Sequence, residues 1–328
     1  MEPIELLRSA RRVGFVFSGG STRCAFQVGV IETLTELGLR PSLCIGVSAG
    51  GWNAAAVAAG TAHRLRTYWR AFVRMPHVDV RNLLHKHSPW IYGEIHQRTF
   101  RRYVNAERLQ SPEALPLWIG VTCLRDLQCV LIDAREVDDP LALLLASNYM
   151  PPYYTHPPRL GGELYVDGGL TDNTPYEKAF ALGCDAVVLI TMRGESQGPG
   201  ILRNPREVDH QIPPPYRERI VVVRPRHQLP LGFTDWNWPQ VAAAMEIGRL
   251  RAREMLLGES HPETDIGASV RSPVERVRRA LERSPGGGRG VPALTRLAAP
   301  APGRPRRRGR RGPSSPPASP PAGRGRRR

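Results

Sequence analysis

The chain has 328 residues and 41% hydrophobic content, enough for one large domain or two ordinary ones. Twelve arginines and no lysine, aspartate or glutamate lie between residues 285 and 328, so only four of the sixteen net positive charges belong to residues 1–284. The body is therefore only mildly basic, and five scattered cysteines without a Cys-x-x-Cys pair argue against a disulfide framework and against a zinc site.

Predicted strands and helices alternate along the body of the chain. In chain order they are a strand at Val13–Phe17, a helix at Ala25–Leu37, a strand at Leu43–Val47, a helix at Trp52–Ala59, strands at Trp118–Cys123 and Gln128–Asp133, a helix at Leu141–Ala146, a strand at Leu164–Val166, a helix at Tyr176–Leu182, strands at Ala186–Thr191 and Ile220–Arg224, and a helix at Gln240–Leu257. This alternation predicts an α/β fold in which helices cover a mostly parallel sheet.

The sequence changes character after the last of these helices. Ser272-Pro273-Val274-Glu275 has the pattern of a capping box and predicts a short basic helix that ends near Arg283. Residues 285–328, rich in proline, glycine and arginine, are expected to be disordered. The tail has three interpretations: it binds anionic lipid headgroups, it binds nucleic-acid phosphates, or it has no function. The last interpretation is favoured. Nucleic acid is not the expected partner, because no aromatic side chains are interleaved with the arginines.

Neither a membrane span nor a secretion signal is recognisable in the sequence. No run approaches the ~18 apolar residues of a membrane span, and the apolar run near the N-terminus is too short for a signal peptide. We therefore expect a cytoplasmic protein, with a peripheral contact to a membrane surface left open. The sequence does not indicate an oligomeric state.

The stretch CIGVSAGGWNA, residues 44–54, places a serine between glycines where a strand turns into a helix. Gly46-x-Ser48-x-Gly50 is either a nucleophile on a tight turn at a helix N-terminus or a plain turn. A serine hydroxyl becomes a useful nucleophile only when a base takes its proton. A Ser–acid–His triad of the α/β-hydrolase type fits poorly, because that fold has several strands before its nucleophile turn and here only one obvious strand precedes Leu43. In addition, His210 and His227 lie in loops.

Asp167 is the better candidate for the base. It directly follows a predicted strand and precedes Gly168 and Gly169. The C-terminal ends of strands in an α/β sheet face the crevice where such folds place their sites. The alternative is an Asx turn, in which the carboxylate only accepts bonds from nearby backbone N–H groups.

The loop FSGGSTRC, residues 17–24, offers backbone amides at the start of a helix. The amides of Gly19 and Gly20 are candidates for holding an oxyanion. The loop is not a Walker A sequence, since no Gly-Lys-Ser/Thr follows, and it lacks the Gly-x-Gly-x-x-Gly spacing of a dinucleotide site.

Three motifs in order, Gly19–Arg23, Gly46–Gly50 and Asp167–Gly169, resemble the patatin-like phospholipase family. Three neighbouring stretches support the resemblance: AFQVGVIETLTELGL after the first motif, ASNYMPPYY before the third, and DGGLTDNTPYEKAFALGCDAVVLI from the third onward. The resemblance covers residues 12–258. It leaves an N-terminal extension of residues 1–11, a basic segment of residues 259–284, and the tail of residues 285–328.

This resemblance implies a three-layer α/β/α sandwich and a bacterial-type hydrolase of acyl esters. The substrate would be a lipid or phospholipid, and the reaction would use a Ser–Asp dyad without histidine, metal or other cofactor. Ser48 would be the nucleophile and Asp167 its base, and the amides of Gly19, Gly20 and Ser21 would hold the oxyanion. The remaining motif residues are Arg23, Gly46, Gly50, Gly168 and Gly169.

Two positions depart from the family's first loop, which reads Gly-Gly-Gly-x-Arg-Gly. Ser21 replaces the third glycine and Cys24 the last. If either position has a positive φ, its side chain costs ~1–2 kcal/mol of strain or shifts the loop. The departures support a second hypothesis, a lipid-binding protein with impaired catalysis. A third hypothesis is a nucleic-acid-associated protein that acts through its tail.

Two aromatic clusters have two interpretations each. They are either a lip that meets a lipid surface or ordinary packing of the core and loops. Their residues are Trp90, Ile91 and Tyr92 in one cluster and Phe233, Trp236 and Trp238 in the other.

Overall fold

Strands and helices alternate in the computed structural model, which describes residues 2–84, 88–104, 106–154, 158–195, 212–232 and 234–261. The strands are β1 (Val13–Phe17), β2 (Leu43–Val47), β3 (Leu117–Cys123), β4 (Cys129–Asp133), β5 (Arg159–Leu160), β6 (Glu163–Asp167), β7 (Ala186–Ile190) and β8 (Ile220–Val223). The α-helices are α1 (Pro3–Ser9), α2 (Ala25–Glu36), α3 (Ala49–Ala58), α4 (Leu65–Arg74), α5 (Tyr92–Tyr103), α6 (Pro140–Ser147), α7 (Tyr176–Ala181), α8 (Pro214–Arg217) and α9 (Trp238–Leu257).

The strands form a sheet in the order β5-β6-β3-β2-β1-β7-β8, with β4 also paired to β3. The pairs β1–β2, β1–β7, β2–β3 and β7–β8 are parallel. The pairs β3–β4, β3–β6 and β5–β6 are antiparallel. The prediction of a mostly parallel sheet is confirmed.

Two apolar cores lie on opposite faces of this sheet. Phe15 and Phe17 of β1 belong to the core that also contains Phe26 of α2. Val16, between them, belongs to a second core with Tyr176 of α7. Alternate side chains of a strand point to opposite faces, and a strand buried on both faces needs helices on both sides. The predicted three-layer α/β/α arrangement is therefore also confirmed.

Strand β3 brings two other strand ends together. Gly120 pairs with Val47 of β2 and with Leu131 of β4, and the next residue, Val121, pairs with Asp167 of β6 and with β4. A strand has only two edges. Because β4 occupies one of them, β2 and β6 share the other and end at adjacent positions. This register places the residue after Val47 beside Asp167.

Helix α1 lies within the predicted N-terminal extension, yet its Leu7 is buried in the core. The domain boundaries stay a prediction. In the parts of the chain that the structure describes, no helix combines the length and apolar character needed to cross a bilayer. Two residues and two segments considered above lie outside the described residues. They are His210, Phe233, the basic helix predicted to end near Arg283, and the tail of residues 285–328.

Candidate active site

Ser48 forms the turn between β2 and α3. Its φ is 52° and its ψ is −133°, a conformation that a residue with a Cβ adopts at a cost. A Cβ on Gly46 would lie 2.6 Å from the Cα of Gly51, and a Cβ on Gly50 would lie 2.4 Å from the carbonyl oxygen of Ser18. The turn is therefore too tight for a side chain at either flanking glycine of the motif.

Asp167 uses its two carboxylate oxygens differently. Oδ2 accepts a hydrogen bond from Ser48 Oγ at 2.6 Å, and Oδ1 accepts one from the Gly169 N–H at 2.8 Å. The latter contact is the Asx-type turn that the sequence offered as an alternative, so both contacts exist together. A Cβ on Gly168 would lie 2.3 Å from the Gly120 carbonyl oxygen, which explains the glycine after the aspartate.

The environment of Asp167 makes its carboxylate a stronger base than an exposed one. The residue is 4% exposed. Burial raises the pKa of Asp167 to about 6, while the hydrogen bonds from Ser48 and Gly169 act in the opposite direction. The carboxylate is therefore mostly ionised at neutral pH and able to accept a proton from a bound hydroxyl.

Two side chains at the end of α6 hold the backbone of Ser48. Ser147 Oγ accepts a hydrogen bond from the Ser48 N–H at 2.8 Å and donates one to the Gly120 carbonyl oxygen at 2.6 Å. Asn148 Nδ2 donates to the Ser48 carbonyl oxygen at 2.9 Å. Neither residue was predicted to belong to the site, although both lie in the ASNYMPPYY stretch that supports the family resemblance.

Gly19 packs directly against the serine. A Cβ on Gly19 would lie 2.8 Å from the Cβ of Ser48. The Gly19 N–H donates a hydrogen bond to Asn173 Oδ1 at 2.7 Å. An amide committed to Asn173 is not available to a substrate oxygen, so Gly20 and Ser21 remain as the predicted oxyanion donors. Asn173 itself was not predicted.

The two departures from the family loop have different consequences. Ser21 has a φ of 54°, where a Cβ costs ~1–2 kcal/mol. Cys24 has a φ of −64°, an ordinary helical value, and its side chain is buried. Arg23 Nε donates to the Gly20 carbonyl oxygen at 3.2 Å and so ties the loop together. The strain expected for a positive φ thus exists at Ser21 and not at Cys24.

A pocket with mostly aromatic walls opens beside Ser48 and Asp167. Its wall residues include Trp69, Phe72, Tyr92, His96, Tyr154 and Trp236. Such an apolar lining suits the acyl chain of a lipid.

The structure distinguishes between the two interpretations of the aromatic clusters, a lipid-facing lip or ordinary packing. Tyr92 and Trp236 belong to the pocket wall, where Trp236 Nε1 donates to the Tyr92 hydroxyl at 3.0 Å. Trp90 packs behind Tyr92, with ring centroids 5.4 Å apart. Ile91 and Trp238 are half-buried and pack against the main core. Packing is therefore the better description of most of these residues, and two of them also shape the pocket.

His96 is the histidine of the pocket wall. Its ring stacks on Trp52 with centroids 4.5 Å apart, and its Nδ1 lies 3.0 Å from the Tyr68 hydroxyl oxygen. Burial lowers the pKa of His96 to about 3, so the ring stays uncharged at neutral pH. The hydrogen bond that Asp167 Oδ2 accepts comes from Ser48 itself rather than from a histidine.

Comparisons with known proteins identify the family. The model of the family described as patatin-like phospholipase matches residues 15–180. No curated protein matches the chain. Among solved structures, the chain is similar to VipD from Legionella pneumophila, with 14% identity and a TM-score of 0.47 over 76% of this chain and 68% of that one. It is also similar to the type III effector protein ExoU, with 16% identity and a TM-score of 0.40 over 75% of this chain and 53% of that one. The family model spans half of the chain and all three motifs, so the chain belongs to the patatin-like phospholipase family, and this membership supports lipid hydrolase activity.

Proposed function

We propose that the chain hydrolyses acyl esters of lipids through an acyl-enzyme intermediate, with Ser48 as nucleophile and Asp167 as general base. The observation that carries this assignment is the 2.6 Å hydrogen bond from Ser48 Oγ to Asp167 Oδ2. The aromatic pocket beside the pair supports a substrate with an apolar acyl chain.

In the acylation step Ser48 Oγ attacks the ester carbonyl carbon while Asp167 Oδ2 takes the hydroxyl proton. The carbonyl oxygen becomes an oxyanion, which the amides of Gly20 and Ser21 stabilise in the loop that packs against the serine. Such a donor contributes ~3 kcal/mol to the stability of a transition state. The intermediate collapses when the ester C–O bond breaks, and the leaving alcohol takes the proton back from Asp167.

Deacylation repeats this chemistry with water. Asp167 takes a proton from a water molecule whose oxygen attacks the acyl carbon on Ser48. The second tetrahedral intermediate releases the carboxylic acid, and the proton returns to Ser48 Oγ. One carboxylate therefore serves both steps, and the proposal requires neither an imidazole nor a metal ion.

Turnover of a soluble p-nitrophenyl ester and of a fluorescent phospholipid tests the dyad. Ser48→Ala removes the nucleophile, and Asp167→Asn keeps the shape of the side chain while removing the base. We expect each variant to lower kcat/KM by at least ~10³-fold, the size seen when a nucleophile or its base is lost. A fluorophosphonate probe should label the wild type at Ser48, and a chelator should leave the rate unchanged.

Circular dichroism and thermal unfolding provide the folding control for both variants. A folded Ser48→Ala protein that retains more than a tenth of the wild-type rate contradicts the assignment of the nucleophile. A folded wild type that binds lipid but shows neither turnover nor labelling favours the lipid-binding alternative. That alternative draws its support from the strained Ser21 and from the engagement of the Gly19 amide with Asn173.

A further inference from the structure

Exposed apolar side chains cluster in one short segment near the pocket. Among the residues that the structure describes, seven large hydrophobic side chains are exposed, and three of them lie between positions 78 and 84. They are Val78, Val80 and Leu84, which are 44%, 67% and 81% exposed. A single exposed leucine is ordinary, but several apolar side chains together on a surface indicate an interaction site. We call residues 75–84 the apolar arm.

The apolar arm starts at the wall of the pocket. The His77 ring stacks on Trp236 with centroids 4.1 Å apart, and Trp236 lines the pocket beside Ser48. The His77 carbonyl oxygen accepts a hydrogen bond from the Ile91 N–H at 3.1 Å, and Val78 forms an antiparallel bridge with Trp90. The base of the arm is thus fixed to the pocket wall, while Val80 and Leu84 point away from the core into solvent.

Positive charge is concentrated in the segment of the chain that contains the arm. Residues 62–104 contain nine lysines and arginines and only two acidic residues, whereas residues 1–284 together carry a net charge of only four. Exposed arginines lie on the helices that precede and follow the arm in the chain, at Arg70 and Arg74 of α4 and at Arg98, Arg101 and Arg102 of α5. The segment that builds one wall of the pocket is therefore the main basic part of the body.

We propose that the apolar arm docks on an anionic lipid bilayer and brings the mouth of the pocket to its substrate. The inference rests on the proposed function, since it names the surface from which the acyl ester would enter. Val80 and Leu84 would enter the interfacial layer, and the neighbouring arginines would contact anionic headgroups. The phosphate backbone of a nucleic acid would not bury the apolar side chains, and two copies of this basic segment would repel each other. A bilayer satisfies both features at once.

Vesicle partitioning of the full chain tests the docking surface. All proteins carry Ser48→Ala, so that the lipid is not hydrolysed during the measurement, and the vesicles contain phosphatidylcholine with or without phosphatidylserine. We expect Val80→Ser with Leu84→Ser to weaken partitioning into the mixed vesicles by ~10-fold or more. Leu124→Ser with Leu127→Ser is the matched control, since these exposed leucines lie between β3 and β4, and it should change partitioning by less than ~2-fold.

Turnover separates this inference from the proposed function. In the active background, Val80→Ser with Leu84→Ser should leave hydrolysis of the soluble ester unchanged and slow hydrolysis of vesicle phospholipid by ~10-fold. If the wild type does not hydrolyse the soluble ester, the proposed function fails while vesicle partitioning still tests the arm. Equal partitioning of the two double variants overturns the inference and assigns lipid binding to another part of the chain. A changed oligomeric state without changed partitioning also overturns it, in favour of a contact between two copies.

Discussion

Ser48 holds a disfavoured backbone conformation because its neighbours bind the peptide groups on either side. A residue with a Cβ in a sparsely populated region costs about 1–3 kcal/mol and persists only where the surroundings fix it. Here the Ser48 N–H is bound by Ser147, and its carbonyl oxygen accepts from Asn148 and from the Gly51 N–H. The result is a hydroxyl that meets the Asp167 carboxylate at the end of the sheet.

The raised pKa of Asp167 predicts how the rate depends on pH. A protonated carboxyl cannot accept the proton of Ser48, so the proposed mechanism requires the ionised form. Because burial raises the pKa from 3.8 to about 6, kcat/KM should rise with pH through about 6 and then level off. An ordinary exposed carboxylate would give that rise near pH 4 instead.

The pH profile is measured with the soluble ester and corrected for hydrolysis without enzyme. Circular dichroism at each pH separates loss of the base from loss of the fold. A folded enzyme with a rate independent of pH between about 5 and 7 contradicts the role given to Asp167.

Ser147 is predicted to position the nucleophile. Ser147→Ala leaves the Ser48 N–H and the Gly120 carbonyl oxygen without the partner that joins them. We expect kcat to fall by ~10–100-fold, because small displacements of a reacting group are costly, while KM stays within ~2-fold. Ser147→Thr keeps the hydroxyl and should recover most of kcat. A parallel fall of kcat and melting temperature in both variants would instead indicate a role in stability alone.

Helices α2 and α9 touch through their backbones at two glycines. A Cβ on Gly29 would lie 1.8 Å from the Met245 carbonyl oxygen, and a Cβ on Gly248 would lie 2.0 Å from the Phe26 carbonyl oxygen. The contact holds α9 on the helix that follows the loop of residues 17–24. The packing of this pair therefore depends on having no side chain at either position.

Gly248→Ala is accordingly predicted to destabilise the fold. Forcing a methyl group into a packed interface costs about 1–3 kcal/mol, more than the ~1 kcal/mol that alanine gains over glycine in a helix. Urea unfolding measures the difference. The control is Gly93→Ala in α5, whose Cβ would lie 3.5 Å from the nearest side-chain atom, a normal contact distance. Equal free energies of unfolding for the two variants would contradict this prediction and show that α2 and α9 can move apart to admit the methyl group.

The pairing of β3 with β2 and β6 brings Ser48 and Asp167 together. Asp167 faces Ser48 because β6 ends opposite Val121, next to the position where β2 ends. A shift of β6 by one residue would turn every side chain of that strand to the other face of the sheet. The carboxylate would then leave the serine, although all the motifs would remain in the sequence.

Charge and apolar surface are distributed unevenly over the molecule. Apart from residues 62–104, the body of residues 1–284 has more acidic than basic side chains. The basic segment contributes Trp69, Phe72 and Tyr92 to the pocket wall. The side of the body proposed to receive an acyl chain is thus built from the same segment that would attract an anionic surface.

The sequence by itself determined the layers of the fold and the motifs of the site, because both leave local patterns. Buried strands appear as apolar runs, and the Ser48 turn requires glycines on either side of it. The roles of Ser147, Asn148 and Asn173 were decided only by the tertiary structure, because each contact joins residues about 100 or more positions apart. Helices α4 and α5 were also missed, although the buried residues of α4 recur at helical spacing and could have revealed it: Leu65, Tyr68, Trp69, Phe72 and Val73. The tertiary structure alone decided that these helices line the pocket, because its wall also contains residues distant in the chain, such as Tyr154 and Trp236.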